Sequence, residues 1–399
     1  MTTLARAYAR RRPGRAAYAL AVCLLLAAPT LAAPLLVAQS PAHLTATIAP
    51  SPFLPESGSA DVMASVTNGS GSAESVASVT VTVQGAGARL TRATAAQRAK
   101  GIVGIVRAGS APGTASVAVS VAGAAIVQTL PVDAYARPAD LLSGKGAWAS
   151  IATFDALGAQ TILARSAHEG VTHLYLEVAG INFVGTQQMD AIVQQAHNLG
   201  IAVIAWVYAP LTDVPAEIRS AETALAFKTA LGGEADGLGG DFEKNLSASA
   251  MAAFSAAVRQ ALGPSRPYVG IIYPPQYGFD TPIATMARYV NVFAPMDYWL
   301  AAARPYTAVE AAAFVAVSMR ELRSVPGEKG LPIEVISQTQ DIENASGFGV
   351  YNPPPTQVVA STQAALADGA IGVSFYDLRT QTAAQISAIA ALEVPSTSS

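Results

Sequence analysis

From residue 145 onward, short apolar runs alternate with amphipathic stretches eight times over. Continuously apolar runs are typical of parallel strands buried on both faces, and the intervening stretches carry apolar residues at helical spacing. Eight such units in about 250 residues favour an α/β fold of the closed (β/α)8 type, a TIM barrel, over an open sheet. We predict this barrel from Lys145 to Leu392, with a tail at 393–399. Its strands are predicted at 146–151, 173–180, 201–210, 236–243, 268–275, 290–299, 331–338 and 371–378.

Between residues 44 and 132 the pattern has a period of two. β-Branched and small residues alternate in SVTVTVQG (78–85) and TASVAVSVAG (114–123), and clusters of turn-forming residues separate such runs. This alternation predicts half-buried strands and a small all-β sandwich, joined to the barrel by a linker at 133–144. In texture the segment resembles the bacterial immunoglobulin-like modules of secreted and surface proteins. The resemblance implies a spacer or a sugar-binding module. A scaffold without a site is the alternative, because almost no aromatic residue is available to stack on a sugar.

The first 38 residues have the pattern of an export signal. The basic run ARRRPGR precedes an uncharged stretch from Ala16 to Ala38, with small residues that suit cleavage near its end. The stretch is also just long enough to span a bilayer, so an N-terminal membrane anchor is the alternative to a cleaved signal peptide. Both predict a protein that is secreted or held at the cell surface. Cys23, the only cysteine, lies in this segment, so we expect no disulfide in the mature chain.

Composition and charge narrow the classes of function. Hydrophobic residues make up 51% of the chain and charged residues 13%, which suits a sizeable core. The formal charge is −3 even though five arginines lie near the N-terminus, and the basic surface that nucleic-acid binding requires is missing. The four histidines lack ligand spacing and no glycine-rich phosphate loop follows the first barrel strand. We therefore predict no nucleic-acid partner, no metal and no cofactor.

Carboxylate and aromatic residues gather where the predicted barrel strands end, which is where the active sites of such barrels lie. Sugar rings stack on aromatic faces, and a carboxylic acid can protonate a glycosidic oxygen, so these residues indicate a polysaccharide or oligosaccharide partner. Trp206 and Tyr208 are also open to a role in the core, and Tyr208, nearer the strand end, is the better site candidate. The residues predicted to bind substrate are Glu177, Tyr208, Tyr273, Asp297, Trp299, Gln338 and Tyr376.

Asp241 and Glu243 form the sharpest pattern at this rim. They lie two apart on the fourth predicted strand, so their side chains point to the same face. A neighbouring carboxylate raises the pKa of one member of such a pair, as a general acid near neutral pH requires. The structural alternative is that a strand-end acid caps the following helix, although Ser247 is itself a plausible N-cap. Glu177 has a structural alternative too, as a partner of a neighbouring barrel residue.

At these residues the chain resembles a known family. The stretch ADGLGGDFE (235–243) is similar to the fourth-strand signature of the chitinase-like glycoside hydrolases of family 18, which consists of DG, an apolar residue and DxDxE. Met296-Asp297-Tyr298 resembles that family's M-x-Y-D. The eighth strand, GVSFYDL, resembles the place where the family has an aromatic wall, usually tryptophan.

The resemblance implies roles for three catalytic residues. Glu243 would be the general acid that protonates the leaving oxygen, and Asp241 would orient the substrate's N-acetyl group, which attacks the anomeric carbon in place of an enzyme nucleophile. Tyr298 would hydrogen-bond the acetamido oxygen. Two departures stand out: Gly239 replaces the first aspartate of DxDxE, and Trp299 stands where the family has an aspartate after the tyrosine.

Three hypotheses follow. The leading one is a secreted glycoside hydrolase with Glu243 as general acid, acting on an N-acetylglucosamine-containing polysaccharide, either chitin-like or a cell-wall glycan. In the second, a separate carboxylate such as Asp297 or Asp377 serves as nucleophile or base. In the third, which Gly239 and Trp299 motivate, the barrel is catalytically inactive and binds carbohydrate or a surface.

Overall fold

The structure is a computed structural model, and it describes residues 43–67, 70, 72–121, 127–180, 183–299, 305–325, 330–340, 342–343 and 350–396. The predicted signal peptide or anchor at 1–38 lies outside these residues. Within the described ranges, no helix combines the length and apolar character needed to cross a bilayer.

The N-terminal part of the described chain consists of two β-sheets that enclose one core. Period-two alternation forms this core: Val62, Ala64 and Val66 of one sheet face Val117 and Val119 of the other. The immunoglobulin-like topology stays a prediction. The strands are β1 (His43–Ala49), β2 (Phe53–Pro55), β3 (Ser59–Thr67), β4 (Ala73–Glu74), β5 (Val79–Gln84), β6 (Arg89–Arg92), β7 (Ile102–Arg107), β8 (Gly113–Val121) and β9 (Val127–Tyr135), with a short helix α1 (Ala95–Arg98). One sheet has the order β1-β3-β7-β6 with β4 beside β3, and the other has the order β2-β9-β8-β5.

The segment expected as a linker, 133–144, is a packed joint. Strand β9 continues to Tyr135, and a 3-10 helix follows at Pro138–Leu142. Leu141 packs with Phe53 and Tyr135 on the sandwich side, whereas Leu142 is fully buried in the barrel interior. The difference from the expectation arises because these two leucines bury their side chains on opposite sides of the joint.

The barrel predicted from the sequence is confirmed by eight parallel strands that close on themselves. Closure occurs because the first barrel strand pairs with both the second and the last. Most strands are shorter than predicted at one end or both. The barrel strands are β10 (Gly144–Ala149), β11 (Val171–Gly180), β13 (Ala202–Tyr208), β14 (Gly237–Asp241), β15 (Tyr268–Ile272), β16 (Val292–Asp297), β17 (Glu334–Gln338) and β20 (Gly372–Tyr376). Short strands β12 (Phe183–Val184), β18 (Ile342–Glu343) and β19 (Val350–Tyr351) lie in connections between them.

Helices cover the outside of the barrel, and Ser247 is the N-cap of the one that follows β14, as expected from its sequence position. They are α2 (Ile151–Glu169), α3 (Thr186–Asn198), α4 (Val214–Ala226), α5 (Ala248–Leu262), α6 (Ile283–Met286), α7 (Ala308–Ser324), α8 (Pro355–Ala367) and α9 (Ala383–Ala391).

Strand alternation sorts the barrel side chains into two layers. On β16, for example, Ala294 and Met296 lie in the barrel interior, whereas Phe293 packs outward against the helices. Ala139 and Leu142 of the joint belong to the same interior cluster. The joint therefore fills the N-terminal end of the barrel, and the polar residues collect at the opposite end.

Candidate active site at the barrel mouth

The fourth barrel strand delivers two carboxylates to the mouth. Asp241 is its last residue, Phe242 turns outward into the fully buried layer beneath α5, and Glu243 follows on the side of Asp241. Asn245 fixes the chain after Glu243, since its backbone N–H donates to the carbonyl of Pro210 at 3.0 Å. Because Ser247 caps α5, Glu243 is free of the helix cap that was its structural alternative.

Asp241 is held by a single described hydrogen bond. The indole N–H of Trp206 donates to its Oδ2 at 3.1 Å, whereas Oδ1 has no hydrogen-bond partner among the described residues. Burial, followed by the charge of Glu243, raises the pKa of Asp241 well above its usual range, and the bond from Trp206 opposes that rise. Burial therefore favours the protonated form of Asp241 over a wider pH range than in a free aspartate.

Glu243 lies partly open beside it. The hydroxyl of Tyr273 donates to its Oε2 at 3.2 Å. Burial raises the pKa of Glu243, and the hydrogen bond from Tyr273 and the charge of Lys244 lower it in part. The two carboxyls interact, so the pair loses its protons in two steps. The two apparent pKa values belong to the pair and not to either residue alone.

Aromatic and aliphatic side chains enclose these carboxyls in a cavity of about 150 Å³. The rings of Trp148 and Tyr175 stack below it with centroids 3.9 Å apart, and those of Tyr298 and Tyr376 lie 5.7 Å apart at its side. Burial raises the pKa of both the Tyr298 and the Tyr376 hydroxyl, so each remains a neutral donor. The cavity is lined by Trp148, Trp206, Asp241, Glu243, Ile271, Met296, Tyr298, Ile336, Gln340 and Tyr376.

Apolar side chains pack closely around Gly239, where the family pattern has an aspartate. A Cβ there would lie 2.9 Å from Cδ1 of Ile271 and 3.3 Å from the ring of Tyr175. The space below Asp241 is thus filled by apolar groups, and an aspartate at 239 would require the end of the Ile271 side chain to shift.

The structure brings Asp241, Glu243, Tyr298 and Tyr376 together at the cavity, with Tyr273 bonded to Glu243. Tyr208 lies at the edge, where its ring is 5.8 Å from the Lys244 ammonium.

Glu177 is near the mouth but has a structural contact. Its Oε2 accepts a hydrogen bond from the backbone N–H of Ile151 at 2.8 Å, at the start of α2. Its charge still contributes to the raised pKa of Asp241. Glu177 therefore acts on the site through its charge, and not through an open carboxylate.

Of the seven predicted substrate-binding residues, only Tyr376 lines the cavity. Besides Glu177, Tyr208 and Tyr273, which lie near its edge, three others are buried elsewhere. Asp297 and Trp299 alternate with Met296 and Tyr298, so they point outward. Asp297 is fully buried with Ser318 of α7 as a neighbour, and Trp299 donates its indole N–H to Oε1 of Gln357 at 2.9 Å.

Gln338 is the third of these, also fully buried, and donates to the backbone carbonyl of Gln340 at 3.3 Å. Asp377, the other carboxylate considered as nucleophile or base, points away from the cavity as well. It accepts hydrogen bonds from Thr153 at 3.0 Å and from Thr380 at 2.8 Å.

Several lining residues escaped the sequence analysis. Trp148 belongs to the first strand, whose apolar run gave no polar signal at its end. For the third strand, the sequence favours Tyr208 over Trp206 as the site residue, because Tyr208 is nearer the strand end. The alternation of side chains along a strand could have predicted both positions. Trp206 lies on the same strand face as Tyr208, and Trp148 lies on the same strand face as Gly146.

Other features of the described residues do not compete with this site. They contain no group of three or more His, Cys, Asp or Glu side chains with the geometry to hold a metal ion. A cavity of about 250 Å³ lies at the joint between sandwich and barrel. Its polar rim is occupied by an ion pair between Arg137 and Asp140 at 2.8 Å.

Comparisons with known proteins give likeness in structure alone. No family model matches the sequence, and no curated protein matches it. Among solved structures, a class V chitinase from Pseudomonas fluorescens Pf-5 is 12% identical, with 62% of this chain and 98% of that chain covered at a TM-score of 0.45. A class V chitinase from Nicotiana tobaccum is 13% identical, with 62% and 97% covered at a TM-score of 0.43. The spore cortex-lytic enzyme SleL of Bacillus cereus is 10% identical, with 64% and 76% covered at a TM-score of 0.48. Similarity at this level does not identify the reaction or the substrate of this chain.

Proposed function

We propose that this protein is a glycoside hydrolase that acts outside the cytoplasm on a polysaccharide containing N-acetylglucosamine, with Glu243 as general acid. The observation that carries the proposal is that Asp241 and Glu243 lie side by side in a cavity with aromatic walls. The pKa of each of the two carboxyls is raised there. The extracytoplasmic location rests on the uncharged N-terminal stretch alone.

The carboxylate pair supports acid catalysis by one member. A general acid must be protonated at the working pH and must still reach the leaving oxygen. Both conditions favour Glu243, because burial raises its pKa above the usual range and its side chain remains partly open. Asp241, which is more deeply buried, is suited to contact a group at the bottom of the cavity.

Of the described residues that line the cavity, only Asp241 and Glu243 carry carboxylates. This favours attack by the substrate's own acetamido oxygen over attack by a separate carboxylate. In the first step that oxygen bonds to the anomeric carbon, the glycosidic C–O bond breaks, and its oxygen takes the proton of Glu243. Asp241 accepts a hydrogen bond from the acetamido N–H. Water then attacks the anomeric carbon, the bond between that carbon and the acetamido oxygen breaks, and the attacking water gives a proton to Glu243, which restores the acetamido group and the acid.

The aromatic side chains suit the same substrate. Tyr298 and Tyr376 are neutral hydroxyl donors beside the pair, with Tyr298 proposed to bond the acetamido oxygen. Trp148 and Trp206 supply apolar faces against which a sugar ring can pack. The volume of about 150 Å³ is small for a ligand pocket, so the cavity can take in only a small part of a polysaccharide.

The test is turnover of N-acetylglucosamine oligomers by the full chain and by Glu243→Gln. We expect the variant to lose activity by about 10²- to 10⁴-fold, the range for loss of a general acid. Glu222→Gln makes the same chemical change at an exposed position on α4 and should keep the wild-type rate. No turnover by the wild type, or full turnover by Glu243→Gln, would contradict the assignment.

A catalytically inactive sugar-binding barrel is the second candidate, and Gly239 favours it because no acidic group lies below Asp241. It predicts that the wild type binds the same oligomers without forming product, and that Glu243→Gln still binds them. Isothermal titration calorimetry beside the turnover assay separates the two candidates.

A further inference from the structure

Gly239 and Trp206 are neighbours across the barrel sheet. In the parallel pairing of β13 and β14, Trp206 lies opposite Gly239, and Tyr208 lies opposite Asp241. Residues paired in this way point to the same face of the sheet. The indole of Trp206 therefore lies beside a residue without a side chain, and its N–H reaches the carboxylate two positions further along β14.

The packing keeps the indole in this place. The ring of Trp206 meets the edge of Trp148 at 5.1 Å and 83°, and the edge of Tyr376 at 5.9 Å and 84°. Trp206 is only 7% exposed. A ring held on two sides in a close-packed interior cannot turn its N–H elsewhere without moving its neighbours.

An indole N–H can only donate a hydrogen bond. Oδ2 of Asp241 must therefore act as an acceptor whenever this bond is present. A proton on Asp241 is then favoured on Oδ1, because a carbonyl oxygen accepts a hydrogen bond better than a protonated oxygen does. Oδ1 is also the oxygen without a hydrogen-bond partner among the described residues. The bond thus settles which oxygen is left to hold a proton or to meet a bound group.

We propose that Trp206 is the positioning residue of the carboxylate pair, fixing Oδ2 of Asp241 as an acceptor and leaving Oδ1 to exchange a proton or to contact the substrate. The indole of Trp206 is a neutral donor on the neighbouring strand, so it orients the Asp241 carboxyl without adding another charge to the site. A carboxylate at 239 would add one, and it would require the end of the Ile271 side chain to shift. The catalytic consequence rests on the proposed function, but the hydrogen bond and its effect on Asp241 do not.

The first experiment therefore needs no substrate. Infrared difference spectra of the full chain across a pH series record the C=O band of protonated Asp241, which is identified by its loss in Asp241→Asn. In Trp206→Phe the band should move to higher frequency, since its oxygen loses a donor, and should persist to higher pH. Trp299→Phe is the matched control, because it makes the same change at an indole that lies outside the cavity and donates its N–H to Gln357. It should leave the band in place.

An unmoved band in Trp206→Phe, or an equal shift in Trp299→Phe, overturns the proposal. Ultraviolet resonance Raman on the wild type covers the case in which Trp206→Phe does not fold. The indole N–H marker should change as the carboxylate pair titrates and should stay constant in Asp241→Asn. An indole N–H marker that does not change with pH in the wild type also overturns the proposal.

The second experiment uses turnover. Loss of one hydrogen bond in Trp206→Phe should lower kcat by about tenfold. The acidic limb of kcat against pH should move to higher pH, because Asp241 keeps its proton longer. Trp299→Phe should leave that limb unmoved. If the infrared shift is seen but the wild type does not turn over, the proposed function fails and the positioning role of Trp206 stands.

Discussion

Asp241 and Glu243 share a small, partly buried space, so the ionisation of one opposes the ionisation of the other. Each also has one hydrogen-bond donor of its own, Trp206 for Asp241 and Tyr273 for Glu243. Both donors favour the ionised form and lower the pKa of their partner. At the scale of single residues, each neutral donor therefore lowers the pKa of one carboxyl. Together the two donors influence the lower and upper limits of the pH range in which the pair holds one proton.

Tyr273→Phe tests the upper limit. Removal of the hydroxyl takes away the bond that lowers the pKa of Glu243, so that pKa rises and the proposed general acid stays protonated to higher pH. We expect the alkaline limb of kcat/KM to move to higher pH, with a loss of about fivefold or less in rate at the optimum. The measurement is a pH profile of oligomer hydrolysis. A limb that stays in place, or moves to lower pH, would contradict the role given to Tyr273.

At the scale of the strand, alternation decides which residues can touch a substrate. On β16 and just beyond it, Met296 and Tyr298 face the cavity. Asp297 is fully buried on the outer side, where neither carboxylate oxygen has a partner with hydrogen-bond geometry among the described residues. Burial raises the pKa of Asp297 well above its usual range, and the hydroxyl of Ser318 offsets this only in part.

Asp297→Asn tests this outward placement through stability. The folded state binds the Asp297 proton more tightly than the unfolded state, so the stability linked to it is present below about pH 4 and is lost as pH rises through the folded pKa. Asparagine does not titrate and escapes this loss. The variant should therefore match the wild type near pH 4 and melt a few degrees higher at pH 8, as measured by calorimetry. If Asp297 binds substrate instead, turnover should fall and Tm should not rise.

The same alternation explains what the sequence could predict about the site. The rhythm of apolar runs was sufficient for the eight strands and the closed barrel, and the spacing of Asp241 and Glu243 was sufficient for their common face. Asp297 and Trp299 were grouped with Tyr298 because they are adjacent in a motif, although adjacent strand residues point to opposite sides. The hydrogen bond from Trp206 to Asp241 joins residues on different strands. It depends on strand register, which no local pattern encodes.

At the scale of the whole molecule, the sandwich packs against the N-terminal ends of the barrel strands. Asp236, just before β14, forms a buried contact there: its carboxylate accepts from Ser51 of the sandwich, from Nε2 of His197 at 2.9 Å and from the backbone N–H of Val203 at 2.7 Å. Tyr135 adds a bond from its hydroxyl to the carbonyl of Ser265 at 2.9 Å. These contacts should make the two parts unfold together.

Asp236→Ala should separate them. Loss of a buried carboxylate with three donors leaves those donors unsatisfied and should cost about 3 kcal/mol or more. Differential scanning calorimetry of the wild type should show one transition, and the variant should show a lower and broader transition or two. Asp280→Ala, at an exposed position, is the control. Two well-separated transitions already present in the wild type would contradict this coupling.

The filled joint at Pro138–Leu142 has a further consequence for how the protein can be handled. One pole of the barrel is covered by the sandwich and the other is the open mouth. A dye, a bead or a fused partner attached through exposed positions of the sandwich would sit at the far pole and leave the approach to the mouth clear. The protein can therefore be immobilised by its sandwich and presented to an insoluble fibre or a whole cell wall without blocking the carboxylate pair.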